Sequence, residues 1–257
     1  MNLTAEQVGL TSSPLAVKLA RTSAEIEQAL RLRYEVFAVE EKNFRLMNDS
    51  GLEQDEYDEI CDHLIVQDLL SGDCVGTYRL LPGERAAGSR GFYSESEFDL
   101  SGFDEYKPDA LELGRSCVAP AYRNGRAIQL LWEGIADYIS QHHLHYLIGC
   151  ASVHFQYQAD LNEMYTFLHR KNMISYSYGV IPLPSHRIGG LQLLDELPGE
   201  KEVFRKLPPL MKGYQWLGAE IGGDPAYDRI FNTVDFFIVL EKPRLARRYR
   251  RHFLGHG

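Results

Sequence analysis

The 257-residue sequence has four cysteines, two tryptophans, and no apolar run approaching the roughly 18 residues of a membrane-spanning helix. The cysteines (Cys61, Cys74, Cys117 and Cys150) stand singly in hydrophobic segments and form no C-x-x-C pair, which points to reduced core residues and excludes a disulfide framework or a zinc ribbon. The first residues, MNLTAEQVGLTSSP, lack a basic start and an apolar stretch, so the expectation is a cytoplasmic protein without a secretory signal. Net positive charge is also missing. The formal charge is -9 at pH 7, which argues against general nucleic-acid binding. No G-x-x-x-x-G-K run is present, and the one Gly/Arg loop at a helix start contains only Gly125, so neither a Walker A nor a dinucleotide fingerprint applies.

Aromatic content of 11% and charged content of 25% are ordinary for a globular chain. Residues 1–13 read as a loose lead-in. The alternation of apolar residues predicts strands over 15–20, 63–68, 74–81, 111–118, 146–153, 174–181 and 234–240. Thr22 and Glu25 form a capping-box pattern, and Ile26, Ala29, Leu30, Tyr34 and Phe37 then share one helical face. Further helices are predicted over 127–143, 158–171 and 208–221. The Ser71–Asp73 turn makes a hairpin of the second and third strands. Residues 82–109 form a long polar loop of a length that is often functional. A hairpin followed by β-α-β units implies an α/β (α+β) fold, with a mixed sheet and helices on both faces.

Two features carry chemistry. Glu112 and Arg115 lie inside an apolar strand, where charges are costly unless paired. Residues i and i+3 face opposite sides of a regular strand, so the two converge only if the strand bulges, most easily at Gly114. Such a bulge would splay the sheet and leave backbone amides near a reacting carbonyl. The plainer alternative is a structural Glu–Arg pair closing the sheet. The second feature is Arg123–Ala127 (RNGRA) at a helix start, an arrangement suited to a single phosphate, or else an exposed basic turn.

Four stretches in order, Arg33–Phe37 (RYEVF), Asp55–Asp58 (DEYD), Gly76–Pro82 (GTYRLLP) and Glu112–Arg115 (ELGR), resemble the acyl-homoserine-lactone synthases and their relatives. Those relatives are the N-acyl amino acid synthases and the ornithine N-acyltransferases, a group also labelled hemolysin-like, within the GNAT superfamily. The stretch 207–240 resembles the ornithine branch, and the resemblance covers most of residues 15–240. Two departures stand out. The Gly/Arg loop matches the usual GNAT loop loosely, and Asn43–Phe44 stand where the lactone synthases carry a tryptophan.

The resemblance implies a GNAT-like core over 14–181, with a splayed central sheet, and a C-terminal extension over 182–257 that completes the sheet. It implies transfer of a long, often 3-hydroxylated, acyl chain from acyl carrier protein to the α-amine of an amino acid, most of all ornithine, giving lyso-ornithine lipid. The co-substrate would be an acyl-phosphopantetheine on the carrier protein or on coenzyme A, with no permanently bound cofactor and no metal. The alternatives are an acetyl-CoA-dependent acetyltransferase, a lactone synthase using S-adenosylmethionine, or a membrane-active protein without enzyme activity.

Glu112 is the candidate base, directly or through a water, with Arg115 positioning it or holding substrate. Asp55 and Asp58 are candidates for the substrate's ammonium groups, Arg33 or Arg79 for its carboxylate, and Phe37 for the substrate wall. Val118, Arg123, Gly125, Arg126 and Ala127 are candidates for the pantetheine phosphate. Cys117 reads as a core residue rather than a nucleophile. Trp132 and Trp216 read as core residues that could also line an acyl tunnel. The basic stretch 243–253, with Leu245, Tyr249 and Phe253 at helical spacing, suits an anionic membrane surface, an acidic carrier protein, or a solvated tail helix.

Overall fold

A computed structural model describes residues 14–242 of the chain. Strand β1 (Leu15–Leu19) leads into α1 (Ser23–Arg33). The capping box forms as expected. The Glu25 amide donates to the Thr22 hydroxyl at 3.3 Å, and the Thr22 amide donates to the Glu25 carboxylate at 3.1 Å. The helix does not stop at Arg33 but widens into a π-helical segment, Tyr34–Glu40, that carries Phe37. Strands β2 (Asp62–Asp68) and β3 (Cys74–Pro82) make the expected hairpin, turning at Gly72 with φ of 81°.

The 82–109 stretch is not structureless. It contains a short helix α2 (Gly83–Ala87), a 3₁₀ turn at Tyr93–Ser96, strand β4 (Phe98–Asp99) and two further 3₁₀ turns. Next come β5 (Ala110–Val118), α3 (Arg126–Gln141), β6 (Tyr146–Val153) and α4 (Gln158–Arg170).

The strand expected over 174–181 is broken into β7 (Ile174–Ser175) and β8 (Ile181–Pro182). Gly179 adopts a φ of 62° and lies against Gly102, where a side chain on Gly102 would strike the Tyr178 carbonyl. That turn sends β8 out of the main sheet to pair with β4. After α5 (Glu200–Lys206), the helix expected over 208–221 is the shorter α6 (Pro209–Leu217). Gly218, with φ of 87°, caps it in the left-handed conformation. The chain then forms β9 (Glu220–Gly222), β10 (Ala226–Asp228) and β11 (Thr233–Glu241).

The main sheet runs β1-β2-β3-β5-β6-β11-β9-β7, with β10 paired to β11. Helices α3, α4 and α6 cover one face, where Leu111, Leu131, Ile135 and Leu147 form one apolar cluster and Met164, Phe167, Met211 and Phe236 form another. The other face is covered by α1, through Ala29 and Leu32 against Ile65 and Cys117, and by the 82–109 segment, through Phe92, Phe98 and Phe103 against Ile148 and Phe237. Both faces therefore carry helices, as the β-α order predicts.

The feature that positions the site is the meeting of β5 with β6. The two strands run parallel and pair over only three positions, Ala110 with Tyr146, Leu111 with Leu147 and Glu112 with Ile148. Beyond Glu112 they separate. On its other edge β5 bulges against β3: Thr77 faces Cys117 and Arg79 faces Gly114, so Tyr78 alone stands opposite Arg115 and Ser116. The bulge falls one residue later than Gly114. Arg115 itself takes the left-handed conformation, with φ of 52°, a backbone state that is uncommon for a side chain of its size.

Candidate active site

Two cavities open where the strands part. The larger, of about 980 Å³, is lined mainly by apolar groups of the π-helical segment, α3 and α6, among them Val36, Ile128, Trp132, Leu210 and Trp216. The smaller, of about 220 Å³, is lined by Arg79, Tyr93, Glu112, Arg115, Asp228 and Asp235, with several hydroxyl groups. Phe37, Glu41, Ser116 and Leu210 line both, so the cavities meet beside the β5 bulge.

Glu112 is 5 % exposed and does not touch Arg115. Its carboxylate accepts from the Tyr93 amide at 2.7 Å, the Ser94 amide at 2.8 Å and the Ser94 hydroxyl at 2.6 Å. Burial raises its pKa, although those three hydrogen bonds oppose the shift. The 82–109 segment, which looked in sequence like a loop, thus places the first turn of a 3₁₀ helix over the strand carboxylate.

Arg115 instead belongs to a closed ring of alternating charge. Arg33 pairs with Glu53 (2.5 Å) and Asp58 (2.7 Å); Arg79 pairs with Asp58 (3.3 Å) and Asp55 (2.5 Å); Arg115 pairs with Asp55 (2.8 Å) and Glu53 (3.1 Å). Three guanidinium groups balance three carboxylates. Burial works against the Arg115 charge, but Glu53, then Tyr93 and Asp55, more than offset it, and its pKa is raised further. Burial likewise opposes the Asp58 charge, and the Arg33 guanidinium overrides it, holding that carboxyl far below the usual range. The Arg115 guanidinium lies over the Tyr93 and Phe231 rings, 4.6 Å from each centroid. The expected Glu112–Arg115 pair is therefore replaced by an indirect relation, in which Arg115 packs on Tyr93, whose amide holds Glu112.

The other candidates divide. Arg79, Phe37, Arg115 and Glu112 line the smaller cavity. Arg33, at 1 % exposure, is fully occupied within the ring and lines neither cavity, and Asp55 and Asp58 are spent on arginines. Val118, Arg123 and Gly125 line the larger cavity. Arg123 grips Glu40 with both terminal nitrogens, at 2.6 and 2.7 Å, and donates to the Val118 carbonyl. Gly125 caps α3 with φ of 96°, the Arg126 amide donates to the Asn124 side chain, and the Arg126 side chain is exposed. Ala127 is buried in the core.

Cys117 borders the larger cavity, but burial pushes its thiol far up, so it is a protonated wall residue. Trp132 and Trp216 both line that cavity, and Trp132 also packs edge-on against Tyr78 and Tyr214.

Sequence reasoning missed the far wall of the smaller cavity. Asp235 on β11 lies opposite Ser152 of β6 and accepts from the Thr233 hydroxyl at 2.7 Å. Glu97 is 2 % exposed, and both of its carboxylate oxygens lack a hydrogen-bond partner among the described residues. Burial, then the neighbouring Asp235 and Asp228 carboxylates, raise the Glu97 pKa; burial, with Asp228 adding to it, raises that of Asp235. Asp235 had a readable signal, an acid inside the apolar strand TVDFFIVL, of the same kind that exposed Glu112. Glu97, in the polar run SESEFDL, had none.

A family model described as an acetyltransferase (GNAT) domain matches residues 32–133. An L-ornithine N(alpha)-acyltransferase of Brucella abortus is 38% identical over 250 residues, covering 93% of this chain and 88% of its own. That of Agrobacterium fabrum is also 38% identical, over 256 residues, covering 95% of this chain and 86% of its own. Among solved structures, FeeM, an N-acyl amino acid synthase from uncultured soil microbes, is similar with a TM-score of 0.52 and 11% identity, covering 92% of this chain and 96% of its own. The acyl-homoserine-lactone synthase LasI gives 0.51 and 13%, covering 95% of this chain and 96% of its own. The structural likenesses show the fold, and the sequence matches go further: the chain is an acyltransferase and belongs to the L-ornithine N(alpha)-acyltransferase family.

Proposed function

We propose that the protein transfers an acyl chain from the phosphopantetheine thioester of acyl carrier protein to the α-amine of ornithine, giving lyso-ornithine lipid. The observation that carries this reading is the joining of a large apolar cavity to a small acidic one beside Glu112. The apolar cavity suits an acyl chain and the acidic one a cationic amino acid. The names of the relatives support ornithine as the acceptor. The phosphate would sit at Gly125 and the start of α3, with Arg126 nearby. Exposed Arg126 and the basic stretch 243–253, which lies outside the described residues, are candidates for contact with an acidic carrier or an anionic membrane.

In this reading the α-amine nitrogen attacks the thioester carbonyl. The C–N bond forms, the carbonyl opens to an oxyanion, and the C–S bond breaks as the carbonyl re-forms. The resting ammonium first gives one proton to solvent; the proton that the nitrogen loses on attack passes to Glu112, directly or through a water, and finally to the departing thiolate. An amine with a pKa of about 8 is mostly protonated at neutral pH, so a base is needed. Three hydrogen bonds occupy the Glu112 carboxylate, which has roughly four acceptor positions, so one remains for the amine. Backbone amides at the β5 bulge would stabilise the oxyanion, and Arg115 would hold the Tyr93 ring and thereby the Glu112 rotamer.

The test is to incubate purified protein with 3-hydroxyacyl carrier protein and, separately, with the matching acyl-CoA, in the presence of ornithine, lysine, glycine or glutamine. Free thiol and acylated product are measured. Thiol release with carrier protein and ornithine is expected. Release only with acyl-CoA would overturn the donor, and no release with any amine would overturn the reading.

A further inference from the structure

Among the described residues, the carboxyl of buried Glu97 has no hydrogen-bond or ion-pair partner. A carboxyl group at 2 % exposure with neither oxygen hydrogen-bonded is a costly arrangement unless something outside the chain completes it. One of its oxygens, a carboxylate oxygen of Asp235 and the Cys150 sulfur all lie within 4.8 Å of one another. Asp235 and Cys150 line the smaller cavity, with Ser152, Thr233 and Asp228 around them. Glu97 does not itself line the cavity; its carboxyl reaches it through Asp235 and Cys150, which do. The path from there to the candidate base is short: Cys150 Sγ is 3.4 Å from the Ser94 hydroxyl, which is 2.6 Å from Glu112.

Charge sharpens the point. The nearby arginines, Arg79 and Arg115, are already matched by Asp55, Asp58 and Glu53. Among the described residues, no Lys or Arg forms an ion pair with Glu97, Asp228 or Asp235. We propose that Glu97 and Asp235, with Asp228 close by, form a subsite for the side-chain ammonium of a diamino acid, so that this wall selects the acceptor while Glu112 handles its α-amine. This rests on the reading of the smaller cavity as the acceptor site. An ammonium brings a positive charge to these acids and donors to the Glu97 oxygens, which have none among the described residues; Asp235 already accepts from the Thr233 hydroxyl, and Asp228 from the Ile230 and Phe231 amides.

A metal ion suits the cluster less well. Its third group is a thiol that burial keeps protonated, whereas metal ligation needs the thiolate. In the free protein Glu97 and Asp235 retain protons that exposed carboxyls would lose, through burial and mutual repulsion. Binding an ammonium beside them would release those protons. The other groups that face this pair are Asp228, Glu112, Arg115, Cys150 and the Thr233 hydroxyl.

The experiment compares ornithine with norvaline, which has the same carbon skeleton and no side-chain amine, for the full-length protein and for Glu97→Gln and Asp235→Asn. Binding without acyl donor is measured by calorimetry in two buffers of different ionisation enthalpy, and turnover by thiol release with acyl carrier protein. The wild type is expected to prefer ornithine and to release protons on binding it. Either variant is expected to lower the ornithine-to-norvaline ratio of kcat/KM by about 10- to 100-fold and to shrink the proton release. An unchanged ratio in a variant that melts at the wild-type temperature would overturn the proposal. So would stoichiometric binding of zinc or manganese that ornithine does not displace. If no amino acid is acylated at all, the enzymatic reading fails instead, and the calorimetric comparison still decides the subsite.

Discussion

Two clusters of buried ionisable groups flank the candidate site and follow opposite rules. On the β3–β5 side, Arg33, Arg79 and Arg115 alternate with Glu53, Asp55 and Asp58 in a closed ring. Charge is neutral, and each group has two opposite neighbours. On the β6–β11 side, Glu97, Asp228 and Asp235 gather with no ion-paired cation among the described residues, where the Glu97 oxygens are also unpartnered. A complete network has nothing left to offer a ligand, so it serves to hold the bulge and the rings stacked on it. An incomplete network is a standing vacancy for charge. On the proposed reading the ring is scaffold, and the acids on the opposite side are the ones that recognise a ligand.

The sharpest way to break the comparison is to cut the ring. Arg33→Met leaves Glu53 and Asp58 each with one buried opposite charge fewer, and is expected to lower unfolding stability by about 3–5 kcal/mol in urea titrations. A loss below about 1 kcal/mol would mean that the ring is not a structural unit.

Glu112→Gln tests the chemistry between the clusters. Removing a general base is expected to lower kcat by about 10²–10⁴-fold. In the wild type, kcat/KM should fall as pH drops through the elevated Glu112 pKa, because the base must be ionised to accept a proton. An activity profile for Glu112→Gln with the same acidic limb and rate as wild type would remove Glu112 from the mechanism.

The open cluster has its own stability signature. Glu97 and Asp235 have raised pKa values, so the folded state holds protons that the unfolded chain has lost. Their contribution is full below the unfolded carboxyl values of about 4, and it is lost as pH rises toward and through the folded values. Ligand-free wild type should therefore lose stability from about pH 4 upward through neutral pH. Glu97→Gln should flatten that slope, and a parallel curve for the variant would show that Glu97 does not titrate as described.

The smallest effect concerns the apolar cavity. Gly213 lies on α6 in its wall, and a Cβ there would meet no atom within 4 Å. Gly213→Leu should shift donor preference toward shorter acyl chains and raise stability by up to about 1 kcal/mol through helix propensity. Unchanged chain-length preference in a competition assay would separate that cavity from the acyl chain.

Much of the fold was legible because long strands and amphipathic helices carry strong periodicity. β3, β5, β6, α3 and α4 all fall within a residue or two of their expected positions. The two- and three-residue strands β4, β7, β8, β9 and β10 are too short to show a period, and the turn at Tyr176–Gly179 interrupts a run that reads as one strand. Within the site, Glu112 stood out as a charge in an apolar run. Its real partners, Tyr93 and Ser94, come from a segment with no pattern and arrive through tertiary packing alone. The pairing of Arg115 with Glu53 and Asp55 was hidden for a similar reason, since about 60 residues of sequence separate them.

Cys117 and Cys150, the thiols that line the larger and the smaller cavity, are both kept protonated by burial. On the proposed reading, in which the amine attacks the thioester directly, neither thiol stores the acyl group between half-reactions. Donor and acceptor must then be resident together, and double-reciprocal plots at varied concentrations of both should intersect rather than run parallel.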